Sequence, residues 1–289
     1  MIMNSILISN AHLCNFGGSE LVSVELAEFY AARGWRVVLY SPIVGQPLLS
    51  TISPNVIVTS KEPDLFGWDI IWDHHGLLIN KITRDSTRII VCNHMSSYVD
   101  LERPKYEVNK PDRIFANSQE TVLSMPVPHM KRAELFQNPA PPEFQRVNHG
   151  GSYILAISNH RPQHLRDALG ALDIPVRYVS MNENPERLSG KHHHNNLFFG
   201  ARAVVCNGKS VQYALRAGVP VFIYDHFGGP GWLTDENFDR AKHFNFSGRG
   251  FDPCPLDALS LWPTAKPVSM ERINWRYKLE EWLYYKELI

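Results

Sequence analysis

Short runs of aliphatic and β-branched residues recur along this chain, and the segments between them are long enough to hold helices. In the first half the runs cover residues 6–9, 36–41, 69–73, 88–92 and 113–116. Several of them are continuously apolar instead of alternating, which is typical of parallel strands that are covered on both faces. The pattern predicts an α/β protein built on parallel sheets.

The segment between the first two runs predicts a helix over residues 20–32. Its apolar residues repeat at helical spacing, and Gly34 stands where a C-terminal cap is expected. The apolar stripe consists of Leu21, Val24, Leu26, Ala27 and Tyr30. A strand, a helix and a second strand in this order open a doubly wound sheet, whose ligands bind outside the carboxyl ends of the strands.

The sequence Asn-Pro-Ala-Pro-Pro at 138–142 predicts a domain boundary, because proline disfavours both helix and strand pairing. The alternation then resumes, with strands expected at 153–158, 176–180, 203–206 and 219–225 and helices at 162–172 and 210–217. Residues 271–289 predict one long amphipathic helix. We therefore expect an N-terminal domain over 1–138, a C-terminal domain over 139–270 and a terminal helix over 271–289.

The charge, the hydrophobicity and the cysteines of the chain limit which ligands and which cellular location are expected. Lysine plus arginine equals aspartate plus glutamate at 29 each, so no overall field attracts nucleic acid, and any anion must be bound locally. No apolar run approaches the ~20 residues that span a bilayer, which predicts a cytoplasmic protein. The cysteines, Cys14, Cys92, Cys206 and Cys254, lie far apart and predict reduced thiols without a zinc site or a disulfide.

A glycine pair, Gly17 and Gly18, stands between the first run and the first helix. Glycines there let backbone N–H groups approach a phosphate or a sugar hydroxyl at the helix N-terminus. The loop matches neither GxGxxG nor GxxxxGK[ST], so the dinucleotide and Walker A motifs are absent. A tight turn without a ligand is the alternative interpretation.

Lys209 and Ser210 stand between an expected strand and an expected helix. A cation beside the N–H groups of a helix N-terminus suits a diphosphate, whereas a helix cap with a solvated lysine is the alternative. After the strand at 219–225, a glycine-rich stretch at 226–232 predicts a polar loop, and Arg249 follows in a second one.

Histidines stand at the expected carboxyl ends of two strands: His74 and His75 after one, His94 after the next. Adjacent histidines on a strand point to opposite faces, which argues against a shared metal ion. For residues 192–194 the sequence favours a solvated turn, with metal ligation as the alternative. A histidine at a strand end can orient a hydroxyl or act as a base. A structural histidine is the alternative for each of them.

Six short segments follow one another along the chain: Gly17-Gly18-Ser19-Glu20, 33–37, 69–75, 113–118, 138–139 and 214–221. Their motifs and their order resemble those of the GT-B glycosyltransferases, near the retaining family 4 group. The family's paired glutamates are missing, since Tyr213 stands at the second position and no acidic residue precedes it from Val205 onward. A non-catalytic scaffold, or an epimerase or phosphotransferase of the same fold, therefore remains an alternative.

The resemblance implies two Rossmann-like domains facing a cleft, with the last helix crossing back to the first domain. It implies retaining transfer of a sugar from a nucleotide-sugar donor to a saccharide or lipid-linked acceptor, with no cofactor or divalent metal and with peripheral membrane contact left open. Catalytic roles are expected for His75, His94 and Asp225. Donor and diphosphate contacts are expected from Gly17, Gly18, Arg161, Lys209, Ser210, Gln212, Gly228, Gly229 and Arg249.

Overall fold

The computed structural model describes residues 4–83, 87–138, 140–141, 144, 151–158, 162–180, 197–264 and 268. The chain divides into two compact units, Met1–Gln137 (unit 1) and Asn138–Ile289 (unit 2). Arg161, residues 192–194 and the predicted terminal helix at 271–289 lie outside the described residues.

Unit 1 is built on a seven-stranded sheet in which every neighbouring pair is parallel. Its strands are β1 (Ser5–Ser9), β2 (Arg36–Tyr40), β3 (Ile57–Thr59), β4 (Trp68–His74), β5 (Thr87–His94), β6 (Arg113–Ala116) and β7 (Ala133–Leu135). Its α-helices are α1 (Gly18–Ala31), α2 (Gln119–Ser124) and α3 (Val127–Met130), and short 3₁₀ helices cover Leu48–Thr51, Ile79–Lys81 and Asp100–Glu102.

The strand order in unit 1 is β3-β2-β1-β4-β5-β6-β7, so the chain reverses direction across the sheet between β1 and β4. Such a reversal opens a crevice at the carboxyl ends of those two strands, where α/β proteins bind ligands. Leu7, Ile71, Ile90 and Ile114 form part of the apolar core on one face of this sheet. The core thereby fixes the strand ends on which the polar residues of unit 1 stand.

Unit 2 carries a second, five-stranded sheet of order β12-β11-β10-β8-β9. Its elements are β8 (Tyr153–Ile157), α4 (Gln163–Gly170), β9 (Val176–Val179), β10 (Ala201–Cys206), α5 (Lys209–Ala217), β11 (Val221–Asp225), β12 (Gly228–Trp232), α6 (Phe238–His243) and a 3₁₀ helix at Leu256–Thr264. All pairs are parallel except β11 with β12. The direction reverses between β8 and β10, and the prediction of two doubly wound, Rossmann-like units is confirmed.

The predicted polar loop over 226–232 is wrong for its last five residues, which form β12 and pair with β11 in antiparallel register. A Cβ on Gly229 would lie 2.2 Å from the carbonyl oxygen of Ile223, and one on Gly228 would lie 2.9 Å from Pro253. Both glycines therefore have a packing reason to be present. The segment was predicted as a loop because glycine is favoured both in flexible loops and where two backbone segments pack closely.

Candidate functional site

Buried polar residues gather at the carboxyl ends of the strands in unit 1. They are Ser9, Asn10, Asp73, His74, His75, Asn93, His94, Asn117 and Ser118. Buried polar groups destabilise a fold unless they are hydrogen-bonded, so this concentration needs an extensive network. The network lies at the reversal between β1 and β4, where a ligand crevice is expected.

His75 is the central residue of this network. It follows β4 with a φ of 67°, a left-handed conformation that is uncommon for a residue other than glycine. Its Nε2 lies 3.1 Å from Oδ1 of Asn10. Ser23 donates its hydroxyl to the carbonyl of Ser19 and accepts from Nδ2 of Asn10, which leaves Oδ1 of Asn10 as an acceptor. Nε2 of His75 therefore donates a hydrogen bond to Oδ1 of Asn10.

The opposite nitrogen of the same ring faces a buried carboxylate. Nδ1 of His75 lies 3.0 Å from Oε1 of Glu102, while Oε2 of Glu102 accepts the N–H of Met95 at 2.9 Å. Glu102 comes from the connection between β5 and β6, so it holds this loop through Met95 and lies against the His75 ring. Neither Asn10 nor Glu102 was predicted, because only the sheet topology brings them to His75.

His94 has a different environment from the one expected for a catalytic residue. It is fully buried, its Nδ1 donates to the carbonyl of Glu102 at 2.6 Å, and its Nε2 accepts from the hydroxyl of Tyr106 at 2.8 Å. Burial lowers the pKa of this imidazole. Both ring nitrogens are thus engaged within unit 1, and the expectation of an acceptor-facing His94 is corrected to a structural support of the Glu102 loop.

Asp73 and His74, at the end of β4, are also structural. Asp73 accepts from the Ser9 hydroxyl and, at 2.8 Å each, from the N–H groups of Leu78 and Ile79, which closes the turn after the strand. Burial raises the pKa of Asp73 to about 6. Burial also holds the pKa of His74 well below its ordinary value.

The Gly17–Gly18 turn holds a carboxylate of the chain itself. Glu20 accepts from the N–H groups of Cys14 at 3.1 Å and of Asn15 and Gly17 at 2.9 Å each. The N–H group of Gly17 that was expected to contact a diphosphate is therefore already bonded to a negative group, and that expectation is corrected. A Cβ on Gly18 would meet nothing within 4 Å, so Gly18 borders open space.

In unit 2, α5 begins directly after β10 and places Lys209 and Ser210 at its N-terminal turn. Gly208 makes the sharp entry with a φ of 54°. Lys209 is buried, and its Nζ lies 4.7 Å from the centroid of the Tyr213 ring. Tyr213 in turn stacks on Phe144 with centroids 4.2 Å apart. Tyr213 is thus a platform beneath the lysine, a favourable place for a cation.

Gln212 lies three residues after Lys209 on α5 and is almost fully buried. Its Nε2 donates to Oδ1 of Asn245 at 3.4 Å, and its Oε1 has no hydrogen-bond partner among the described residues. An unpaired buried amide oxygen costs about 1–3 kcal/mol, which a ligand hydroxyl or amide would recover on binding. Gln212 is therefore a candidate ligand contact.

Asp225 ends β11 and is bonded to its neighbours. Its Oδ2 accepts from Nδ2 of Asn207, and its Oδ1 accepts from the N–H of His226 at 2.7 Å and from Nδ1 of His226 at 2.9 Å. The side chain of His226 is 43% exposed, against 4% for Asp225. Asp225 was expected to act directly, but the structure shows a carboxylate that holds the more exposed imidazole.

The second polar loop brings Arg249 close to the end of β11. The Arg249 guanidinium carbon lies 5.5 Å from the centroid of the Phe227 ring, and the His226 ring lies 3.9 Å from that centroid. Of the residues predicted in unit 2, Lys209, Ser210 and Gln212 lie on α5, Asp225 ends β11 and Arg249 lies in the loop after α6. Gln212 bonds Asn245 of that loop, and Asn207, just before α5, bonds Asp225. Sequence reasoning gave no role to Asn207.

No group of three or more histidine, cysteine or acidic side chains within the described ranges could hold a metal ion. No helix in the same part of the chain is long and apolar enough to cross a bilayer.

Two successive Rossmann-like units are the architecture of the GT-B glycosyltransferases, and the chain has this fold. A crystal structure of a glycosyltransferase from Rickettsia africae ESF-5 matches it with a TM-score of 0.56 and 11% identity, over 90% of this chain and 87% of that chain. At this identity the likeness shows the fold alone. No protein-family model and no curated protein sequence matches the chain.

Two more solved structures are similar to a lesser degree. The apo form of the lipopolysaccharide outer core galactosyltransferase WaaB has a TM-score of 0.46 and 10% identity, over 96% of this chain and 99% of that chain. The calicheamicin glycosyltransferase CalG4 has a TM-score of 0.40 and 13% identity, over 77% and 79%. Below a TM-score of 0.5 such matches carry no argument about the site.

Proposed function

We propose that this protein is a glycosyltransferase that moves a sugar from a nucleotide-sugar donor to a saccharide or glycolipid acceptor. The observation that supports this most is in unit 2, where the buried cation of Lys209 and the unpaired amide oxygen of Gln212 share the start of α5. Retention of configuration is part of the proposal and rests on the resemblance to the family 4 group.

In this proposal unit 2 binds the donor. Lys209, Ser210 and the N-terminus of α5 offset the charge that develops on the leaving phosphate, and Arg249 adds a second cation. Gln212 accepts a hydrogen bond from a donor hydroxyl. These groups supply the charge stabilisation that a divalent metal supplies in other transferases, so we propose transfer without one. Arg161 is a further candidate cation, and Gly228 and Gly229 stay in the proposal only as backbone beside the donor.

Unit 1 binds the acceptor in the same proposal. His75 exchanges its hydrogen bond to Asn10 for one to the acceptor, and the open space beside Gly18 admits the acceptor. The leaving phosphate takes the acceptor's proton. A cytoplasmic location belongs to the proposal, and a lipid-linked acceptor would bring the protein to a membrane surface.

A non-catalytic binding protein is the second candidate, and one observation favours it. Tyr213 replaces a donor-binding glutamate of the family and packs flat against Phe144 instead of facing a ligand as a carboxylate would. This candidate would bind a nucleotide through Lys209 and turn nothing over.

The test is a turnover assay with UDP-, GDP-, CDP- and dTDP-linked glucose and galactose, with octyl glucoside or maltose as the acceptor. Nucleoside diphosphate release that requires the acceptor supports the transferase, and the anomeric proton coupling of the product reports retention. Isomerisation of the donor without an acceptor would show that the protein is an epimerase, and phosphate transfer without an acceptor would show that it is a phosphotransferase. Nucleotide binding without turnover of any donor would favour the non-catalytic protein.

A further inference from the structure

We propose that His226 contacts the diphosphate of the donor and that Asp225 is a positioning residue that acts through it. The inference rests on the proposed nucleotide-sugar site in unit 2 and assigns the role expected for Asp225 to its neighbour. It follows from how the two side chains are bonded and from which of them faces outward.

Asp225 is poorly suited to touch a donor directly. Its side chain is 4% exposed, and three hydrogen bonds from Asn207 and His226 already occupy its two oxygens. A carboxylate would also repel a diphosphate at short range, because like charges in a partly buried site are weakly screened. Asp225 is, however, well placed to hold an imidazole in one orientation.

The His226 ring has one defined orientation. Its Nδ1 bonds Asp225, so Nε2 lies on the opposite edge of the ring, and the ring packs 3.9 Å from the centroid of Phe227. When both ring nitrogens carry a proton, Nδ1 donates to Asp225 and Nε2 is the donor that we assign to a phosphate oxygen. This is the carboxylate–histidine arrangement by which proteins fix the tautomer and direction of an imidazole.

A cation lies close to His226. The guanidinium carbon of Arg249 lies 5.5 Å from the centroid of the Phe227 ring, which the His226 ring also contacts. Asn207, which bonds Asp225, lies two residues before Lys209 in the turn from β10 to α5. The hydrogen bond therefore ties the His226 arrangement to the helix start that carries the proposed diphosphate cation.

The experiment compares the wild type with His226→Ala, Asp225→Asn and the double variant, using calorimetry with UDP, GDP, CDP and dTDP. His226 is half exposed, so His226→Ala should keep the unfolding midpoint, and His243→Ala on α6 is the matched histidine control. We expect His226→Ala to weaken binding of the preferred diphosphate about 10- to 100-fold, as loss of one charged hydrogen bond does. The corresponding nucleoside, followed by saturation-transfer NMR, should bind equally well to both proteins.

Asp225→Asn should give a smaller loss, and the double variant should be no weaker than His226→Ala, because Asp225 acts through the ring. Equal loss of nucleoside and diphosphate binding, or additive losses in the double variant, would overturn the inference by showing a general structural role. Unchanged diphosphate affinity in His226→Ala would overturn it as well. If the wild type binds none of the four diphosphates, the proposed donor site fails together with it, a result distinct from the other three.

Discussion

The Nδ1 atom of His75 lies 3.0 Å from Oε1 of Glu102, and both side chains are more than nine-tenths buried. A carboxylate in such a place is tolerated only when it is paired and hydrogen-bonded. Glu102 accepts the Met95 N–H group on Oε2, whereas its Oε1 lies beside Nδ1 of His75, which makes no hydrogen bond among the described residues. The two side chains therefore lie where the end of β4 meets the loop after β5.

We expect Glu102→Ala to lower the free energy of unfolding by about 1–3 kcal/mol, since it leaves the buried N–H group of Met95 without its acceptor. Urea denaturation measures this. Glu107→Ala, an exposed acidic residue close by in the sequence, should change the free energy by less than about 0.5 kcal/mol. Equal small effects in the two variants would show that the Glu102 contacts contribute nothing to the fold.

The glycine pair before α1 should respond unequally to the same substitution. A Cβ on Gly17 would lie 2.3 Å from Oε2 of Glu20 and displace the carboxylate that caps the turn, whereas a Cβ on Gly18 is unobstructed. Gly17→Ala should therefore cost about 1–2 kcal/mol, the usual value of a helix N-cap, and Gly18→Ala should cost nothing measurable. Thermal denaturation of the two variants gives the comparison, and equal midpoints would contradict the capping role of Glu20.

Gly18→Leu tests the assignment of the acceptor to unit 1. Because the position borders open space, the variant should fold, bind the nucleoside diphosphate with wild-type affinity and lose acceptor-dependent turnover. Turnover and calorimetry on one preparation measure both. Loss of nucleotide affinity would instead place the Gly17–Gly18 turn on the donor.

Lys209→Ala should weaken diphosphate binding about 10-fold or more, because it removes a cation beside the N-terminus of α5. Arg216→Ala, in the last turn of the same helix, is the matched control and should leave the affinity unchanged. Circular dichroism should show the helix content of the wild type in both variants. An unchanged dissociation constant in Lys209→Ala would remove this lysine from the donor site.

Stability should fall as the pH drops from 7 to 5. Burial lowers the pKa values of the His74 and His94 imidazoles. Below pH 6.5, the ordinary pKa of histidine, these two side chains therefore bind protons in the unfolded chain but stay neutral in the folded chain. Each contributes at most about 1.4 kcal/mol per pH unit. Urea denaturation across this range measures the slope, and His74→Gln should make it shallower. A slope identical to that of the wild type would contradict a buried neutral His74.

Asp73 acts with the opposite sign. Its folded pKa of about 6 lies above the ordinary 3.8, so between these values the folded chain binds more protons and stability falls as the pH rises. Asp73→Asn removes this opposing effect, so the rise in the free energy of unfolding with pH, which the buried histidines cause, should become steeper between pH 4 and pH 6. The same denaturation series checks it, and an unaltered curve would show that the Asp73 carboxyl titrates alike in both states.

Local patterns predicted the strands and helices that build the two sheets. The apolar stripe from Leu21 to Tyr30 gave α1, and the continuous run at 69–73 gave β4, because burial of one face or of both faces is visible in the spacing itself. The three-residue edge strands β3 and β7 were not predicted, since so few residues carry no period. β12 was read as a loop because its glycines serve close packing against Ile223 and Pro253.

The candidate site was predictable only in part. A strand end followed by a helix start is a local pattern, so the positions of Lys209 and Gln212 on α5 could be predicted, while their contact with a donor stays a prediction. His94 was misjudged because its partners, Tyr106 and the Glu102 carbonyl, come from a loop whose path the sequence does not encode locally. The same reason hid Glu102, which is an ordinary acidic residue until the fold buries it.

Calorimetric titration of the folded protein with UDP, GDP, CDP and dTDP, each with and without Mg²⁺, tests the proposed donor site most directly. We predict saturable binding of one of these nucleotides, of equal affinity with and without Mg²⁺, that is weakened by Lys209→Ala but not by Arg216→Ala. Absence of binding by all four to a protein with a cooperative unfolding transition would contradict a nucleotide-sugar site in unit 2, and with it the proposed transferase.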